Sequence, residues 1–86
     1  MADEILKDRH GIRYGKVTTD ARGNAAVYDK MNLKLGTIRP DSMGNLIAYD
    51  KMNRKLAVYD SKQNYTKDTK GRRLGKGNLL LNVFFQ

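Results

Sequence analysis

The stretch "VYDKMNLKLG" (27–36) returns 21 residues later as "AYDKMNRKLA" (48–57). Alignment on the aspartate adds two more copies, "LKDRHGIRYG" (6–15) and "TKDTKGRRLG" (66–75). The anchors are Asp8, Asp29, Asp50 and Asp68. Three residues after each stands Gly11, Asn32, Asn53 or Gly71. Five after stands a base, Arg13, Lys34, Lys55 or Arg73. Six after stands an apolar residue, Tyr14, Leu35, Leu56 or Leu74, and seven after stands Gly15, Gly36, Ala57 or Gly75.

This spacing describes a turn. Aspartate at the first position of a type I turn bonds back to the backbone, and Gly or Asn three residues on tolerates the left-handed conformation. Together they make a short hairpin loop with a bulge. The loop pairs Lys7 with Arg13, Tyr28 with Lys34, Tyr49 with Lys55 and Lys67 with Arg73. Counting one more step outward pairs Leu6 with Tyr14, Val27 with Leu35, Ala48 with Leu56 and Thr66 with Leu74, the predicted core face. Between the repeats, "DARGN" (20–24) and "DSMGN" (41–45) carry the same signal, and "DSKQN" (60–64) a weaker one.

Turn signals every 8 to 12 residues predict an all-β antiparallel meander. Its strands fall near 4–7, 12–18, 25–28, 33–39, 46–49, 54–59, 64–67 and 72–76. Residues 1–86 form one domain of four β-hairpin repeats around one small core. The hairpins share that core by packing around a centre, in a β-flower, or by closing a small barrel. The tail, "GNLLLNVFFQ" (77–86), breaks the repeat and is the most apolar stretch. As a helix capped by Asn78 it puts Leu79, Leu80, Val83 and Phe84 on one stripe. As a strand it puts Leu79, Leu81, Val83 and Phe85 on one face. It plugs the open end of the hairpins or buries itself in another subunit. The smallness of the core favours the second, with Leu79, Leu81, Val83, Phe84 and Phe85 as oligomer contacts.

The chain has nine acids, and seven are the turn aspartates. Only Asp3 and Glu4 remain, so paired carboxylates for acid–base chemistry have no candidates. There is no cysteine, and the single His10 sits at a turn tip without companions. These facts argue against an enzyme, a metal site and a cofactor. Without a leader or a long apolar span, a cytoplasmic location is expected and no membrane partner.

The formal net charge is +8. That balance suits polyanionic partners, or simply solubility. The repeat-position bases Arg13, Lys34, Lys55 and Arg73 form a ring if the hairpins surround an axis. Tyr28 and Tyr49 lie beside Lys34 and Lys55. Bases interleaved with tyrosines are the ingredients of a nucleic-acid or polyanion surface, although a solvated strand face uses the same residues. The run "KGRRLGKG" (70–77) adds to the basic character. Met31, Met43 and Met52 each stand two residues after a turn aspartate, as contact tips or folded back over the core.

The quoted repeats, with "KGNLL" (76–80), resemble small bacterial and phage proteins of the β-flower type, whose hairpins are arranged like petals. The resemblance covers residues 6–80. Asn32 and Asn53 stand where that pattern usually has glycine, and both tolerate the same backbone. The group has no assigned activity, so the resemblance implies an architecture and no functional residues. A looser similarity links "YDKMNRKL" (49–56) to the repeats of Rhs-type shell proteins, but four copies are too few for a shell. The resulting expectation is a non-enzymatic binding or assembly module that self-associates through its tail. The alternative is binding of nucleic acid or another polyanion through the basic ring.

Overall fold

The computed structural model describes residues 2–85. Met1 and Gln86, the two ends of the expected domain, lie outside the described residues. Asp29 shows how each repeat turns. Its Oδ1 accepts the amides of Met31 (2.8 Å) and Leu33 (3.0 Å), and its backbone oxygen accepts the amide of Asn32 (3.0 Å). Asn32 is left-handed, with φ at 64°. Asp8, Asp20, Asp41, Asp50 and Asp68 receive the same two amides on one carboxylate oxygen. At the weaker signal, Asp60 takes the amides of Lys62 and Gln63, and Asn64 is the left-handed residue, with φ at 56°.

At four of these turns the amides favour the ionised carboxyl. The pKa values of Asp20, Asp50 and Asp68 are lowered, chiefly by the amides of Asn24, Arg54 and Arg72 respectively. In Asp41, partial desolvation pushes upward and is outweighed by the amides of Asn45 and Met43. A depressed native pKa gives stability that is present above the ordinary carboxylate value of about 3.9 and lost as pH falls through the native value. Thermal melts followed by circular dichroism should therefore show a falling midpoint below about pH 4. Asp50→Asn and Asp68→Asn together should flatten that acid limb.

The turns join eight strands: β1 (Ala2–Lys7), β2 (Arg13–Thr19), β3 (Ala25–Asp29), β4 (Lys34–Pro40), β5 (Leu46–Asp50), β6 (Lys55–Asp60), β7 (Tyr65–Asp68) and β8 (Arg73–Lys76). They lie in one antiparallel sheet in chain order, the expected meander. The sheet is open, because β1 and β8 each have a single neighbour. The barrel alternative does not hold.

The loop-proximal pairs are as predicted, Lys7 with Arg13, Tyr28 with Lys34, Tyr49 with Lys55 and Lys67 with Arg73. One step further the prediction fails in all four repeats. A bulge inserts one residue, so Leu6 faces Gly15, Val27 faces Gly36, Ala48 faces Ala57 and Thr66 faces Gly75. The skipped residues are Tyr14, Leu35, Leu56 and Leu74. Leu35 and Leu56 are half-buried at the edge of the core, while Tyr14 and Leu74 are exposed. Counting outward by twos from the turn misses this, since a bulge reverses which face every later residue takes.

The bulge turns the small residues inward, and the tail explains why. After β8 the chain forms α1 (Leu80–Phe84), so the tail is a helix. The Asn78 side chain accepts the Leu80 amide at 3.1 Å. A Cβ on Gly15 would lie 2.5 Å from the Phe85 ring, one on Gly36 2.6 Å from Phe84, and one on Gly75 2.6 Å from Leu79. Glycine lets neighbouring groups approach closely at these positions. The Tyr28 and Tyr49 carbonyls do crowd Gly15 and Gly36, but the rings that press on them belong to the tail. On a flat sheet β2 and β8 would stand roughly 29 Å apart, whereas Leu79 to Phe85 rises only about 9 Å. The sheet therefore curls around the tail. Leu80 is fully buried among Leu6, Val17, Val27, Ile38, Ala48 and Ala57.

Thr66 replaces the apolar residue of the other repeats for a reason. Its fully buried hydroxyl donates to the Gly77 carbonyl (2.7 Å) and accepts the Leu79 amide (2.9 Å). That satisfies the backbone where the chain leaves β8 and enters the cup.

Candidate polyanion-binding face

Strand alternation sends one set of side chains into the cup and the other onto its convex face. The registers put Lys7, Arg13, Lys16, Lys34, Arg39, Lys55, Lys67, Arg73 and Lys76 on the convex side. Asp3 and Asp60 are the only acids they place there, Asp60 opposite Tyr65. The imbalance follows from the turns, since the seven turn aspartates are drawn to the strand ends by backbone amides.

Arg13, Lys34, Lys55 and Arg73 are all exposed and sit at equivalent positions near the hairpin tips. They occur on alternate strands, so neighbours are roughly 10 Å apart across the sheet. Because the sheet is open, they form an arc and not a ring. Arg13 also reaches the next hairpin, donating to Asn32 Oδ1 at 3.2 Å.

The tyrosines join the arc with partners the repeat did not announce. Lys34 and Lys55 face Tyr28 and Tyr49 across the hairpins, as read. The cations over the rings come from elsewhere. Lys16 Nζ lies 5.2 Å from the centre of Tyr28, and the Arg39 guanidinium 4.0 Å from that of Tyr49. Arg73 lies 4.3 Å from the centre of Tyr65. Lys16, Arg39 and Tyr65 were missed because they lie outside the anchored columns. Lys16 and Arg39 stand three and five residues after Arg13 and Lys34, odd steps that reach the outer face only because of the bulge, whereas Tyr65 stands two from outward Lys67. Such cation–π contacts fix the direction of a long side chain that would otherwise sweep through solvent. Within the basic run 70–77, Arg72 is tied to Asp68 at 3.2 Å.

The remaining candidates lie off this face. Met31, Met43 and Met52 are 72%, 66% and 69% exposed, so the tips do not fold back over the core. Met31 and Met52 share one end of the sheet with exposed Ile12 and Leu33, while Met43 is at the other end. Leu79, Leu81, Val83, Phe84 and Phe85 are half-buried against the chain's own sheet. Within one chain the tail plugs the cup, and these five side chains stay partly exposed. His10 is exposed at a tip, with its amide bonded to Asp8. Among the described residues no group of three or more His, Asp or Glu side chains is placed to hold a metal ion. No helix among them is long and apolar enough to cross a membrane.

Comparison with known proteins gives no match to a family profile, a curated protein or a solved structure. The functional reading therefore rests on the face itself.

Proposed function

We propose that this chain is a non-enzymatic binding module whose convex basic face takes a nucleic-acid strand or a similar polyanion. The observation that carries the reading is the segregation of charge. Nine outward bases accompany two outward acids, with half-buried Tyr28, Tyr49 and Tyr65 among them. A run of cations at fixed spacing matches a run of phosphates, and aromatic faces between them suit unstacked bases. The β-flower resemblance belongs to this proposal as an architecture only.

A second reading, self-association, is favoured by the exposed apolar tips Ile12, Met31, Leu33 and Met52 at one end. It adds the tips as a contact beside a tail that the cup only half buries.

One pair of variants separates the two. Anisotropy of a labelled single-stranded oligonucleotide, titrated across a salt series, should show tight binding that weakens steeply with salt. Lys34→Glu with Lys55→Glu should weaken it on the order of a hundredfold and flatten the salt slope. Met31→Gln with Met52→Gln, which adds no charge, should leave binding unchanged. The self-association reading demands the opposite. The tip variant would then lower the sedimentation coefficient, and the charge reversals would change nothing.

A further inference from the structure

The fourfold repeat is broken on the convex face at one column. Three residues before each anchor aspartate stands Ile5, Ala26, Ile47 or Tyr65. These are outward positions, and three of them carry a large side chain. Ala26 does not, and a groove of about 330 Å³ opens above it. Its floor is Ala26, between Thr18 on β2 and Thr37 on β4. The β4 wall carries Lys34 and Arg39. Arg39 is held in place by stacking on Tyr49, and its Nε and the Thr37 hydroxyl beneath this wall have no hydrogen-bond partner.

We propose that this groove seats one nucleotide of a bound single strand, with its phosphate against Lys34 and Arg39. The inference rests on the polyanion reading of the convex face. Arg39 and Lys34 supply the charge, and the Arg39 fork suits phosphate oxygens. The flat, small floor lets a sugar or base approach the backbone where Ile47 blocks it in the next repeat. Asp20 and Asn24 close the groove from the β2–β3 turn. The Asp20 carboxylate is already bonded to the amides of Arg22 and Asn24 and to the Asn24 side chain. Its negative charge directs a phosphate to the β4 wall.

The test restores the repeat. Ala26→Ile fills the groove with the residue that the next repeat carries there, and it removes no charge. Anisotropy with a labelled oligothymidylate should show roughly tenfold weaker binding, the loss of about one seated base. The salt slope should fall by no more than about one, since at most one phosphate contact goes with the nucleotide. Equal binding by the variant overturns the groove and leaves the basic face standing. No binding by either protein at low salt overturns both.

A second measurement uses the native chain, so the inference does not depend on the variant folding. Thymidine 5′-monophosphate followed by amide chemical shifts should move Thr18, Ala26, Thr37 and Arg39 together. Shifts scattered along the whole convex face, or the same shifts from inorganic phosphate alone at equal concentration, overturn the nucleotide seat.

Discussion

Leu80→Ala is expected to remove about 3 kcal/mol of stability and lower the melting midpoint by roughly 10–20 °C. Leu80 is the only fully buried side chain among the described residues of the tail, and every strand that lines the core presents a residue toward it. A chain of this length has on the order of 4–13 kcal/mol in total. One methyl-rich side chain therefore supplies a large share. Leu80→Asp should leave no folded protein at room temperature, because a carboxylate at that site has no partner. Thr66→Val is the polar counterpart and should cost about 2 kcal/mol, by stranding the Gly77 carbonyl and the Leu79 amide. Calorimetry or circular dichroism reads all three. A Leu80→Ala protein that melts like the parent would mean that the tail does not occupy the cup.

That result also bears on self-association. Removal of residues 79–86 would uncover Val27, Ala48 and Ala57, which are wholly buried. Any aggregation of such a truncated chain would report an opened core, not a lost subunit contact. The tips at Met31 and Met52 are the place to ask about assembly, since substitution there leaves the core untouched.

Turn chemistry was the most legible layer of this sequence. Asp29 and Asn32 fix a turn through contacts within five residues, and such contacts can be read without knowing the rest of the fold. Four tip pairs and the meander followed from them. The bulge at Tyr14, Leu35, Leu56 and Leu74 was not legible by counting. The clue was the small column at Gly15, Gly36, Ala57 and Gly75, which makes sense only once a bulky tail lies against it. That is a contact between residues up to 70 positions apart, and local spacing does not encode it. The same distance hid the fate of Phe84 and Phe85. The basic column was legible as residues, but not as an arc with Lys16 and Arg39 added, since that needed the registers between repeats. Ala26 went unremarked because an alanine in a strand looks ordinary until its three counterparts are large.

Gly36→Ala should be the most damaging single-methyl change in the chain. Gly36 is buried and not left-handed, so alanine meets no intrinsic backbone penalty there. The whole effect is steric. Its new Cβ would collide with the Tyr49 carbonyl oxygen and with the Phe84 ring. The ring can swing away, but the carbonyl is fixed by the β4–β5 ladder. Overpacking of a core typically costs about 1–3 kcal/mol, and this site belongs at or above the top of that range. The midpoint should then fall by roughly 15 °C. Gly75→Ala is the control. Its Cβ meets only the end of the Leu79 side chain, which can turn aside, so the midpoint should move by no more than a few degrees. Gly15→Ala should fall between the two, since it meets the Phe85 ring and a less intrusive Tyr28 carbonyl at 2.8 Å. Adding Phe84→Ala to Gly36→Ala should recover only part of the loss, because the carbonyl clash remains. If the three glycines ranked otherwise, with Gly75 the most sensitive, the path of the tail across β4 and β2 would have to be redrawn.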